Sequence, residues 1–208
     1  MVGTAANVGD VTQVDKLLHG EENVVCADAV AASLISAGNG VRFVNFEVLN
    51  LNGATLDLDL LTGSEFTSLQ LSDSTNVLEN VALTQSLSIV DGATSTTLGF
   101  AAATGAADSY SISFDAETTG TAAAATAIAA GTVTVNGVES INVASGAAAG
   151  VVNNSITLAS NTAETVTITG DQDLALSFAA DFGAEAAGNE VTAINASDSH
   201  WRCHRGPY

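Results

Sequence analysis

From Val41 to Phe178 the chain alternates apolar and polar residues in short runs, each broken by Gly, Asp, Asn or Ser. The runs are "VRFVNFEVLNL" (41–51), "ATLDLDLL" (54–61), "FTSLQLS" (66–72), "VLENVAL" (77–83), "SLSIV" (86–90), "TTLGF" (96–100), "SYSISFD" (109–115), "GTVTV" (131–135), "VESINVAS" (138–145), "SITLAS" (155–160), "ETVTITG" (164–170) and "DLALSF" (173–178). A period of two sends successive side chains to opposite faces of a strand, so each run predicts a strand with one buried and one solvated face. Many short strands separated by turn residues predict an all-β chain. It is either a β-solenoid of the parallel β-helix kind or an elongated β-sandwich repeat. Helical candidates are confined to Ala-rich stretches such as 121–130, where Thr and Gly weaken the propensity.

The two ends break this pattern. Residues 1–29 predict a helix followed by a strand. Asp10 is the N-cap, Val11, Val14, Leu17 and Leu18 form one apolar face, Gly20 is the stop, and "NVVCADA" reads as a short buried strand. Residues 198–208, "DSHWRCHRGPY", hold the only Trp and the only Pro and read as an atypical, disordered tail. The expected organisation is therefore an appendage over 1–29, an acidic β-repeat domain over 30–197 and a tail over 198–208.

Within the body a motif recurs: apolar, two variable positions, apolar, Asn, apolar. It stands as "FEVLNL" (46–51), "VESINV" (138–143) and "VTAINA" (191–196), which places Asn50, Asn142 and Asn195 at one position of a degenerate repeat. Adjacent rungs would stack these amides into a ladder. Otherwise they are polar residues near turns.

Charge narrows the function classes. There are 23 acidic residues against four basic ones, a net charge of −19, and from Val30 to Asp198 the only basic residue is Arg42. Such a surface repels phosphate backbones, so no nucleic acid is expected on the body, whereas hard cations are attracted. No apolar stretch is long enough for a membrane span; even "TAAAATAIAAGTVTV" (121–135) is cut by Thr and Gly. The opening "MVGTAANVGD" lacks the basic start and apolar core of an export leader. Cys26 and Cys203 stand in unlike contexts and read as two free thiols.

Catalysis is not expected. Between Val30 and Asp198 there is no His, so a Ser-His-Asp arrangement is excluded there, and no phosphate-binding or dinucleotide-binding loop is present. Two acidic pairs are the metal candidates: Asp57 with Asp59 in "LDLDLL", and Asp171 with Asp173 in "GDQDLALS". On a strand that spacing puts both carboxylates outward, with Leu56, Leu58 and Leu60 inward in the first case, and paired oxygens of this kind can join backbone carbonyls around Ca²⁺. His200, Cys203 and His204 carry zinc-competent side chains, with Cys26 and His19 as distant partners, but the spacing fits no structural zinc site.

Two resemblances add to this reading. "GTAANVGDVTQVDKLLHGEENVVCADA" (3–29) resembles part of the catalytic domain of insertion-sequence DDE transposases, in which such a run leads from a helix to a strand ending in a metal-binding Asp. Asp28 falls on that position, and since the family's other carboxylates have no counterpart here, it is expected to be inactive. Residues 30–197 resemble the β-repeat bodies of bacterial surface-layer proteins and RTX-type adhesins, with segments such as "VESINV" and "TVTITG" and almost no Lys, Arg, Cys or Pro. The nonapeptide of RTX calcium turns is absent. The resemblance implies a non-catalytic structural fragment of a cell-surface protein, extracellular if exported, associating with itself or with neighbouring surface-layer subunits, in a chimeric or truncated reading frame. An inactive transposase remnant and a calcium-binding β-roll fragment of an exported RTX-type protein are the alternatives.

Overall fold

The computed structural model describes residues 24–28, 32–33, 35–38, 40–114, 127–146, 153–180, 182–183 and 192–196. The N-terminal helix expected over 11–19 and the cluster His200, Cys203 and His204 lie outside these residues.

The fold is all-β. One sheet, A, holds eight strands in the order β1 (Val24–Asp28), β2 (Val48–Asn52), β4 (Ser68–Asp73), β6 (Ser86–Ile89), β8 (Ser109–Phe114), β10 (Ser140–Ser145), β12 (Thr165–Thr169) and β14 (Ala193–Asn195). The other, B, holds six: β3 (Thr55–Asp57), β5 (Thr75–Val81), β7 (Ser95–Phe100), β9 (Ala129–Val135), β11 (Asn153–Ala159) and β13 (Asp173–Phe178). From β2 onward successive strands alternate between the sheets, and each pairs in parallel with its sheet neighbours.

Alternation in the sequence becomes rows in the sheets. In sheet A, Leu49, Leu69, Leu87, Ile112, Val143 and Ile168 stand opposite one another on successive strands, all buried. Leu51, Leu71, Ile89 and Phe114 form a second row, which ends at Ser145. In sheet B the row is Leu56, Leu78, Leu98 and Val135. The inward residues of both sheets belong to one hydrophobic cluster. Leu, Ile and Val stacked at a strand spacing of about 4.8 Å fill a layer about 10 Å thick, which accounts for the shortage of aromatics. Between the inward rows run polar ones, such as Asn50, Gln70, Ser88 and Ser113, which explains the Ser content of the body.

Each of the twelve sequence runs overlaps one of the strands β2 to β13, but the bounds differ, most of all in three places. Run 41–51 is a strand only from Val48. Before it come a 3-10 turn (Gly40–Arg42) and Asn45 at φ 61°, a left-handed backbone outside the extended region of a regular strand. Run 54–61 stops being a strand at Asp57 and turns into a 3-10 helix (Leu58–Leu60). Ala129 and Ala130, at the end of the Ala-rich stretch, are strand and not helix, since β9 starts there and Ala130 packs in the core.

The strand expected within "NVVCADA" is β1. It pairs in parallel with β2 over its full length, from Val24 opposite Val48 to Asp28 opposite Asn52. The segment set apart by its sequence thus supplies the edge strand of sheet A.

Tyr110 is the largest buried side chain. Its ring meets Phe100 edge-on at 4.8 Å, and its hydroxyl has no hydrogen-bond partner. Burial pushes the phenol pKa above its usual value of about 10. The neutral form is therefore the one the fold holds. Stability from this group is complete below pH 10 and is lost as the pH climbs above it, because the unfolded phenol ionises first. Tyr110→Phe keeps the ring packing and removes the unpaired hydroxyl, so it is expected to melt at or above the wild-type temperature. It should also lose less stability than wild type between pH 10 and 12, as followed by circular dichroism.

Candidate functional site

Neither acidic pair lies wholly on one strand. Asp57 ends β3 and caps the following 3-10 helix: its Oδ1 accepts the Asp59 amide at 3.0 Å and the Asn80 side-chain amide at 2.8 Å. Asp59 is exposed on that helix, so the two carboxylates do not share a strand face. Leu56 and Leu58 are buried as expected, whereas Leu60 is only half-buried. The reason is local, since an Asp that captures a backbone N–H two residues on turns the chain out of the extended state.

The second pair straddles a corner. Asp171 is exposed in the turn before β13, and its Oδ1 accepts the Gln172 side-chain amide at 3.3 Å. Asp173 is the half-buried first residue of β13. Gln172 between them is buried, and its backbone donates to the Ser145 carbonyl at 3.0 Å. Asp28 is the last residue of β1, opposite Asn52. Among the described residues no group of three or more His, Cys, Asp or Glu is arranged to hold a metal ion.

Nor do the motif asparagines stack. Asn50 faces Gln70 across β2 and β4, with an amide hydrogen bond of 3.4 Å. Asn142 and Asn195 both stand opposite Thr167, one on either side of it. The structure does explain part of their uneven spacing. Four strand-to-strand steps in sheet A separate Asn50 from Asn142, and two separate Asn142 from Asn195. The steps are uneven, from 18 residues between Gln70 and Ser88 to 31 between Ser113 and Ala144, and the row of Asn50 meets β10 at Ala144, two residues beyond Asn142.

Two features escaped the sequence reading. The first is a column of carboxylates at the entrance to sheet A, one residue before β8, β10 and β12: Asp108, Glu139 and Glu164, all half-buried. The backbone amide of Glu139 donates to the Asp108 carbonyl at 3.1 Å, and that of Glu164 donates to the Glu139 carbonyl at 2.8 Å. Glu139 Oε2 in turn accepts the Asp108 amide at 2.8 Å. Widely separated in sequence, these acids become neighbours on successive strands.

The second is a pair of fully buried asparagines, Asn76 and Asn154. Asn76 Oδ1 accepts the Ala54 amide at 3.1 Å while Val77 donates to the Ala54 carbonyl at 2.9 Å. Asn154 repeats this on Ile128: its Oδ1 accepts the Ile128 amide at 3.0 Å, and Ser155 donates to the Ile128 carbonyl at 2.9 Å. In each case the asparagine side chain takes the N–H of one residue and the backbone amide that follows the asparagine takes the same residue's carbonyl, where the chain enters sheet B. The signal was parity: Asn76 and Asn154 precede Leu78 and Ile156 by two, so strict alternation turns them inward. A break at a turn residue hides it.

Stacked acids repel, and the fold concentrates them. Raising NaCl through tens to hundreds of millimolar is expected to raise the melting temperature by screening, with MgCl₂ and CaCl₂ following the same curve at matched ionic strength. A large rise at submillimolar Ca²⁺ that disappears in Asp171→Ala would instead establish a specific calcium site.

No family model matches the chain, and no curated protein is significantly similar to it. Among the described residues no helix is long and apolar enough to cross a membrane.

Proposed function

We propose that the chain is a non-catalytic structural module of a bacterial cell-surface protein, of the surface-layer or adhesin kind, built as a parallel β-solenoid. The observation that carries this reading is the strand succession: from β2 onward, neighbours within each sheet are parallel and are separated in the chain by one strand of the other sheet. A sandwich of antiparallel hairpins or Greek keys has no such order, whereas a chain coiling steadily round one core produces it directly. The aliphatic rows form the core of the coil, and the Ser-rich rows and acidic turns form its exterior.

In this reading residues 1–29 descend from an insertion-sequence transposase, and their strand β1 has been taken into the coil as its first rung. Asp28, on that strand, has no catalytic role. Antibody raised against the purified chain is expected to label intact cells of the producing organism. Labelling only after lysis would overturn the surface assignment, and Mg²⁺-dependent nicking of DNA lost in Asp28→Ala would overturn the structural one.

A further inference from the structure

Four large apolar side chains are exposed among the described residues: Val41 (51%), Val44 (51%), Phe178 (38%) and Ile194 (48%). Their positions are not scattered. Phe178 is the last residue of β13, the terminal strand of sheet B, and Ile194 lies on β14, the terminal strand of sheet A. Val41 and Val44 belong to the segment over the opposite end of sheet B. Gly40 in that segment packs against the Leu60 carbonyl, just beyond the terminal strand β3, and Gly63 packs against Val44 and the Val41 carbonyl. The strands between carry no exposed large apolar residue.

We infer that the two ends of the stack are complementary self-association surfaces, and that copies of this chain join head to tail, the Phe178–Ile194 end of one on the Val41–Val44 end of the next. The inference rests on the solenoid arrangement proposed above. Three observations select a second copy as the occupant. Every neighbouring pair of strands among the described residues is parallel, so a copy translated along the stack meets the next with its strands running in the same sense. Among the described residues no strand pairs with the outer edge of β13, which pairs with β11 over six residues without a bulge and carries neither Lys nor Pro. The net charge of −19 opposes contact between copies, and exposed acids stand both in the middle of the stack, as Glu79 and Asp91 do, and near its ends, as Asp59 and Asp171 do; among the described residues only the ends add exposed large apolar side chains that offset this repulsion.

A two-fold contact between identical ends would leave Val41 and Val44 uncovered on both copies. A head-to-tail contact covers both patches and repeats without closing, which builds a filament.

Complementation tests this in the full chain. Sedimentation velocity of the wild type over a concentration series is expected to show a weight-average mass that rises past the dimer. Val41→Asp/Val44→Asp blocks one end and Phe178→Asp/Ile194→Asp the other. Each variant alone should stay monomeric, with association weakened at least tenfold, and an equimolar mixture should form a dimer and stop there. All four side chains are exposed, so circular dichroism and melting should match wild type. If either Asp variant misfolds, the corresponding Ser variants serve in its place.

A wild type that stays monomeric throughout would overturn the inference, as would a mixture that does not dimerise. Dimers of the Val41→Asp/Val44→Asp variant alone would show a two-fold contact between Phe178 ends and overturn it equally. A monomeric wild type leaves the surface assignment standing, whereas cells that fail to label leave the end-to-end contact standing, so the two failures are distinguishable.

Discussion

Gly170→Ala is expected to be among the most damaging single-methyl changes in the described part of the chain. Gly170 sits at φ 106°, a conformation that L side chains rarely adopt, where β12 gives way to the corner before β13. A Cβ there would lie 2.2 Å from the Ser145 carbonyl oxygen and 2.6 Å from its carbon. That carbonyl cannot easily retreat, because it accepts the Gln172 amide that seats the start of β13. Backbone strain of about 1–2 kcal/mol adds to the displacement of a buried hydrogen-bonded corner. A total loss of about 4 kcal/mol lowers the melting temperature of a chain this size by roughly 8–16 °C. Gly92→Ala is the control: its added Cβ meets only the Ala129 carbonyl at 3.5 Å, an ordinary contact, and its melt should move by less than about 2 °C. Equal melts for the two variants would show that the corner at Gly170 is not held by its backbone.

Asn154→Ala should come next. The substitution strips the Ile128 amide of its acceptor at a fully buried position and removes the donor to Ser145 Oγ at 3.1 Å. An unsatisfied buried N–H costs about 1–3 kcal/mol, and the cavity left by the amide adds to it. A loss of about 2–4 kcal/mol in denaturant unfolding is expected, seen as a lower midpoint at unchanged slope. Asn76→Ala removes the equivalent acceptor from Ala54 and should fall in the same range. Asn50→Ala, on a half-buried outward row, should cost less than about 1 kcal/mol. If Asn50→Ala proved as costly as Asn154→Ala, the amide-accepting role assigned to the inward asparagines would be wrong.

The contrast between Asn50 and Asn154 marks where sequence reading reached and where it stopped. A repeated motif drew attention to Asn50, Asn142 and Asn195, yet these occupy outward positions with Gln70 and Thr167 as their neighbours. Asn76 and Asn154 belong to no motif and sit in the core. The acidic pairs went the same way. A spacing of two implies a shared face only while the chain remains a strand, and Asp57 itself ends the strand by capping the turn that carries Asp59.

The all-β class and the place of nearly every strand were determined by sequence alone, because alternation is a local property: each residue's face depends only on its parity within its run. The expectation that the body takes no nucleic acid rests on charge count, which is equally indifferent to fold. Pairing belongs to tertiary structure. Which strands became neighbours, that they all run parallel, and that β1 joins β2 depend on contacts between residues far apart in the chain, for which alternation carries no address. The carboxylate column illustrates the difference. Asp108, Glu139 and Glu164 are unremarkable single acids in sequence, and only the parallel pairing of β8, β10 and β12, which sets them at the same end of adjacent strands, makes them a common electrostatic feature.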